Sequence, residues 1–163
     1  MVRRYQDGDH LFIGRIYQEA IHRLACRDYS KEQLEAWAGT KGDPEEWSRA
    51  WKARCERKQP FVKVLDGRVV GFIDLDPDGH IDCAFVDPDY AGQGVMDEIM
   101  GEVKKEAARL GLRRLHAEVS VTARPFFDRQ GFTWVSDHVA IIKGIGLANF
   151  IMECVLPADS LPR

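Results

Sequence analysis

Residues 81–98 read IDCAFVDPDYAGQGVMDE: an apolar strand, a turn through Asp87 and Pro88, glycines at 92 and 94, and then directly a helix. That order builds an anion cradle. Gly92 and Gly94 lack a Cβ, so the chain can curl tightly, and successive peptide N–H groups converge where a helix begins. A GxG pair alone also fits an ordinary strand-to-helix connection. A second cluster, SVTARPFFDRQGF at 120–132, follows the helix and carries paired phenylalanines and a further glycine.

Upstream of the cradle the hydrophobic period is two. Strands are predicted over 61–64, 69–75 and 81–86, joined by turns at Asp66-Gly67 and at the DPDG of 76–79, so consecutive strands run antiparallel. Downstream, Val95, Ile99, Val103, Ala107 and Leu110 share one helical stripe that stops at Gly111. A strand over 113–120, a short helix over 122–129 and strands over 132–142 and 147–156 complete the chain. The first third is helical after a short strand at 2–5. Asp7 or Asp9 is expected to cap a helix with Phe12, Ile13, Ile16, Tyr17, Ala20, Ile21 and Leu24 on its apolar face. Ser30 caps a second, and Asp43-Pro44 opens a third that carries Trp47, Trp51 and Cys55. The fold class is α/β, with a central mixed, mostly antiparallel sheet and flanking helices. One domain over 1–156 and a loosely ordered tail over 157–163 are expected.

The 163 residues are 45% hydrophobic with a formal charge of -3, which argues against a nucleic-acid or anionic-membrane partner. Cysteines 26, 55, 83 and 154 have no CxxC spacing, so reduced thiols are expected. No apolar run matches a signal peptide or a membrane span, and a cytoplasmic protein is expected. His22 and Cys26 lie one helical turn apart, but no second ligand pair accompanies them, and no metal is expected.

The two motifs, their mutual spacing and the order of elements resemble the GCN5-related N-acetyltransferases (GNAT), and in particular a bacterial branch with paired phenylalanines. The resemblance covers almost the whole chain and is densest over 81–132. It implies acetyl-CoA as acyl donor, an amine of a small molecule or peptide as acceptor, and a possible homodimer. By the same resemblance, main-chain atoms at Phe85 and Val86 pair with the pantetheine arm. The loop and helix start at Ala91, Gly92, Gln93, Gly94, Val95, Met96 and Asp97 hold the pyrophosphate. Ser120, Ala123, Phe126 and Phe127 flank the arm, and Arg129, Arg124 and Lys104 are candidates for the outer phosphates. Three positions depart from the family pattern: Ala91 replaces a Gln or Arg, Met96 replaces a Gly or Ala, and Phe127 replaces a tyrosine that serves as proton donor.

Amine acylation needs a base to take the ammonium proton, a donor for the acyl oxyanion and a route for the departing thiolate. Asp82 is the first candidate base, with Asp74 and Glu118 as alternatives. An outward-facing strand carboxylate is the competing reading for each. His80 is a proton shuttle or a solvent histidine, and His116 reads as structural. Since Phe127 cannot donate a proton, water, Ser120 or Tyr29 does so, or the thiolate leaves as such, a thiol pKa near about 8.5 making that tolerable. Tyr17, Tyr29, Trp37 and Asp74 are candidate acceptor-binding residues, with core packing the competing reading for the tryptophan. A pocket into which Asp74, Asp82 and Glu118 point would suit a cationic amine. A non-catalytic acyl-CoA sensor on the same fold is the alternative function.

Overall fold

The computed structural model describes residues 1–157. Apart from Pro157, the expected tail lies outside the described residues. The elements in chain order are β1 (Val2–Arg4), α1 (Asp9–Leu24), α2 (Lys31–Ala38), α3 (Pro44–Lys58), β2 (Phe61–Leu65), β3 (Arg68–Ile73), β4 (Ala84–Val86), α4 (Val95–Arg109), β5 (Arg114–Ser120), α5 (Arg124–Arg129), β6 (Thr133–Ile142) and β7 (Ile145–Val155).

Local chemistry sets the helix boundaries. Ser30 and Gln33 form a reciprocal capping box at α2, and the Asp43 carboxylate accepts the Glu45 N–H ahead of Pro44 at α3. The expected aspartate cap of α1 is absent: Gly8 is the N-cap at φ 97° with no side-chain cap. Asp9 instead accepts the Gln6 N–H and pairs with Arg3. Helix α4 ends in a Schellman motif, with Gly111 at φ 73°, Gly111 N–H donating to Ala108 and Leu112 N–H to Ala107.

The strands form two antiparallel sheets, β1-β2-β3-β4 and β5-β7-β6, rather than one continuous sheet. On one side of the first sheet, Phe61, Val70 and Ile73 pack with Val95, Ile99 and Val103 of α4. On the other, Val62, Val69 and Phe72 meet Ile13 and Ile16 of α1 and Cys55 of α3. Leu34 and Ala38 of α2 pack with Leu147 of β7, a third cluster that closes one end of the gap between the sheets.

A single parallel bridge, His80 with His116, joins the sheets. His116 N–H donates to Gly79 and Ile81 N–H to His116. Past the bridge β4 and β5 part, and among the described residues neither has another strand partner on the facing edge. The predicted strand over 81–86 therefore shortens to three residues. Its first half leaves the ladder because the Asp74 carboxylate, not a neighbouring strand, accepts the N–H groups of Asp82 and Cys83. The last strand, predicted from 147, begins at Ile145 because Lys143 and Gly144, both at positive φ, make a two-residue hairpin turn.

Gly79 is where the sheets touch. It lies at φ 96°, and a Cβ there would stand 2.3 Å from the Arg114 carbonyl oxygen. Since that neighbour is backbone, Gly79→Ala must shift β5 and strain φ as well. A loss of at least about 2 kcal/mol is expected in urea unfolding, in the range of other large single-site effects; a loss below about 0.5 kcal/mol would show that the bridge does not organise the fork.

Candidate active site

The fork between β4 and β5 opens a cavity of about 450 Å³. One wall runs from Ile81 to Val86, and the other from Ala117 to Ser120. Strand β5 alternates, burying Leu115, Ala117 and Val119 and turning His116, Glu118 and Ser120 away from the core. A second cavity of about 240 Å³ shares Val86, Met96 and Phe126 with the first, and so continues it toward the start of α4.

That end is the cradle. Gly92 and Gly94 lie at φ 77° and 79°, with open space where a Cβ would stand. Gly94 is the N-cap of α4, and no side chain caps the first-turn amides, so the positive end of the helix faces an open cavity. The loop is held from behind. Asp87, fully buried, accepts the Asp89 N–H, while its own N–H donates to Val70, and Arg23 of α1 reaches Asp89 at 2.7 Å. Arg129 lines the cradle and makes no ion pair among the described residues. Lys104 instead donates to the Gln130 carbonyl and Arg124 stacks on Phe150.

Of the predicted cofactor contacts, Phe85, Val86, Ser120, Ala123, Phe126 and Phe127 line the main cavity. Gly92, Gly94, Val95, Met96, Asp97 and Arg129 line the cradle. Ala91 and Gln93 line neither, and the Gln93 side chain donates back to the Asp89 carbonyl. The Met96 sulfur lies 3.4 Å from the Cβ position of Gly71, so this residue rests partly against β3, where glycine leaves room. Met96 thus lines both cavities while its sulfur rests against the sheet.

Tyr17, Tyr29, Trp37 and Phe85 give the main cavity an aromatic wall. Trp37 meets Tyr29 edge-on at 5.5 Å and Phe85 at 6.0 Å. Both tyrosine hydroxyls are committed. Tyr17 donates to the Trp37 carbonyl, and Tyr29 donates to Ala148 while accepting the Val121 N–H. Burial raises both phenols. Tyr29 therefore shapes the wall and cannot readily serve as the acid. Phe127 is buried against Phe132. Ser120 Oγ accepts the Ala123 N–H, which leaves its own O–H to donate into the cavity it lines.

The carboxylates separate into three environments. Asp74, expected to contact substrate, is wholly buried and absent from the cavity lining, a correction that follows from its work as acceptor for two backbone amides and for Arg54. Asp82 does line the cavity. Its Oδ2, however, lies 2.9 Å from Arg54 and 3.3 Å from Lys58. Burial pushes its carboxyl up, but those two cations reverse this and hold it below the usual value, which makes it a weak base. The Arg54 nitrogen also touches Cys83 at 3.1 Å, so Asp74, Asp82 and Cys83 surround a guanidinium in a closed ion-pair cluster. Burial, then Asp74, raises the Cys83 thiol, which rules out a thiolate nucleophile there.

Glu118 is the third. It lines the cavity from β5, and its Oε2 is 2.6 Å from His80 Nε2. The His80 contribution was visible in sequence only as a histidine beside a turn, since its partner lies 38 residues away.

Comparisons with known proteins agree with this architecture. A model described as an acetyltransferase (GNAT) domain matches residues 25–154. The uncharacterized N-acetyltransferase YafP of Escherichia coli strain K12 is 32% identical over 152 residues, 93% of each chain. A crystal structure of a GCN5-related N-acetyltransferase from Rhodopseudomonas palustris superposes with a TM-score of 0.87 at 32% identity, covering 96% of this chain and 95% of that one. The PaiA N-acetyltransferase of Thermoplasma acidophilum, solved in complex with coenzyme A, shares the fold with a TM-score of 0.72 at 18% identity, covering 96% of this chain and 98% of that one.

Proposed function

This chain belongs to the GNAT family of N-acetyltransferases, and we propose that it transfers an acetyl group from acetyl-CoA directly to a primary amine of a small molecule or peptide. The observation that carries the reading is the continuity of the β4/β5 fork with the uncapped N-terminus of α4. An extended amide-bearing arm fits between two unpaired strand edges, by the same physics that adds a strand to a sheet. A pyrophosphate fits the α4 amides and Gly94, with Arg129 as the nearest cation. When bound there, acetyl-CoA supplies an electrophilic acyl carbon and a thiol leaving group.

The residues of the chain do the rest. Tyr17, Trp37 and Phe85 give the acceptor an aromatic wall, which favours a cation through ring quadrupoles. Glu118, hydrogen-bonded to His80, is the carboxylate that draws an ammonium toward the arm, since the charge of Asp82 is matched by Arg54 and Lys58. Ser120, whose O–H is left to donate into the cavity, takes the role that Phe127 cannot.

The reading is tested by incubating the protein with acetyl-CoA and, separately, 2-phenylethylamine, spermidine and an alanine-initiated peptide, following thiol release and the mass of the amine. Acetylation of at least one amine, with thiol release dependent on it, is the expected result. Saturable acetyl-CoA binding without product from any of them would instead favour a non-catalytic acyl-CoA sensor.

A further inference from the structure

We propose that Glu118 is the general base of the transfer and that His80, held between Glu118 and Asp76, relays the proton to solvent; this rests on the reading that an amine is acetylated in the cavity. Glu118 reaches the cavity from β5, two residues before Ser120 on the same face of the strand. His80 stands behind it, outside the lining. The two meet because the His80–His116 bridge pins both strands at the fork.

The arrangement makes a proton acceptor. His80 Nε2 lies 2.6 Å from Glu118 Oε2 and Nδ1 lies 3.2 Å from Asp76 Oδ2. A neutral imidazole has one N–H and can serve only one of these carboxylates, while the other ring nitrogen turns its lone pair on a carboxylate oxygen. Taking up one proton resolves both contacts. The surrounding charges are Asp78, which accepts the backbone N–H of His80, the His116 ring at 5.3 Å, Asp82, Lys58 on Asp76, and His138 of β6 near Glu118. Burial acts to lower the imidazole, but Glu118 and Asp76 win and hold it above its ordinary 6.5. Burial raises the Glu118 carboxyl, but the His80 hydrogen bond outweighs it and holds Glu118 below its ordinary value, as Arg54 and Lys58 hold Asp82. The difference is that the partner of Glu118 can itself take up and release a proton, whereas Asp82 faces two fixed cations.

An aliphatic amine arrives as its ammonium at neutral pH. One N–H bond breaks, the electron pair stays on nitrogen, and the proton passes to Glu118 and on to His80 Nε2. The imidazolium then lies between two carboxylates. At 23% side-chain exposure, His80 can return that proton to water. The pair must be empty before each turnover, so kcat/KM for the amine rises with pH through the His80 titration, above 6.5, and is lost below it.

The test is the pH profile of kcat/KM at saturating acetyl-CoA, using whichever of the three amines above turns over fastest, together with NMR titration of His80 in the free protein. Glu118→Gln is expected to lose about 100-fold or more in kcat/KM. His80→Gln should displace the acid limb, and Asp76→Asn, remote from the cavity lining, should move that limb to lower pH with little change in KM. Glu118→Gln should also lower the His80 titration midpoint. Acetyl-CoA should still raise the melting temperature of every variant, as the cradle is untouched. If it does so but the acid limb ignores both His80→Gln and Asp76→Asn, or His80 titrates identically in Glu118→Gln, the assignment of base and relay is overturned while the transferase reading stands. If the wild type acetylates none of the three amines, the transferase reading fails and takes this proposal with it.

Discussion

Arg54→Met is expected to lower the melting temperature by about 10 °C. Asp74 is wholly buried, and its Oδ2 depends on the Arg54 guanidinium at 2.8 Å. Removing one member of such a pair leaves an uncompensated charge in the interior, which costs about 3–5 kcal/mol, and each kcal/mol is worth about 2–4 °C in a domain of this size. The loss also loosens the site, because the same carboxylate holds the N–H groups of Asp82 and Cys83 at the root of the fork. The double variant Arg54→Met/Asp74→Asn should recover part of the loss, since an amide oxygen still accepts those N–H groups without a buried charge. A fall of less than about 2 °C for Arg54→Met would mean that water or Lys58 takes over, and that the cluster does not organise the strand.

Gly94→Pro is expected to weaken acetyl-CoA binding by about 100-fold or more, the combined cost of a lost anion contact and a distorted loop. Gly94 sits at φ 79°, which proline, fixed near about -65°, cannot adopt, and proline also removes an N–H from the cradle. Gly94→Ala is the milder comparison. It meets no atom within 4 Å, so only the left-handed backbone is strained, at about 1–2 kcal/mol. Isothermal titration of acetyl-CoA against both variants checks the order. Equal affinity in wild type and Gly94→Pro would remove the cradle from the account.

What the sequence made legible is local. The cap residues Ser30 and Asp43, the stop at Gly111 and the glycines of the cradle act within a few residues of themselves, and each stands where its chemistry demanded. The grouping of Tyr17, Tyr29 and Trp37 came from the resemblance and not from periodicity, since they stand on α1, on the connection to α2 and on α2, and only the fold brings them to one cavity. Asp74 and Asp82 were harder. Both sit in strand-like sequence, and only Arg54, 20 and 28 residues away on α3, decides that one is structural and the other neutralised. The start of β4 was misjudged for the same reason, since apolar alternation cannot reveal that a side chain has taken the place of a ladder partner. His80 and Glu118 depend on the fork itself, a property of two sheets meeting at Gly79.

The most direct measurement is the melting temperature of the wild-type protein with and without acetyl-CoA, with adenosine as control. At about a hundred times its Kd the ligand should stabilise by about 2.7 kcal/mol, a rise of about 5–10 °C at this chain length. A rise of that size with acetyl-CoA and none with adenosine is the predicted result. No rise with either would contradict the claim that the β4/β5 fork and the start of α4 form an acyl-CoA site.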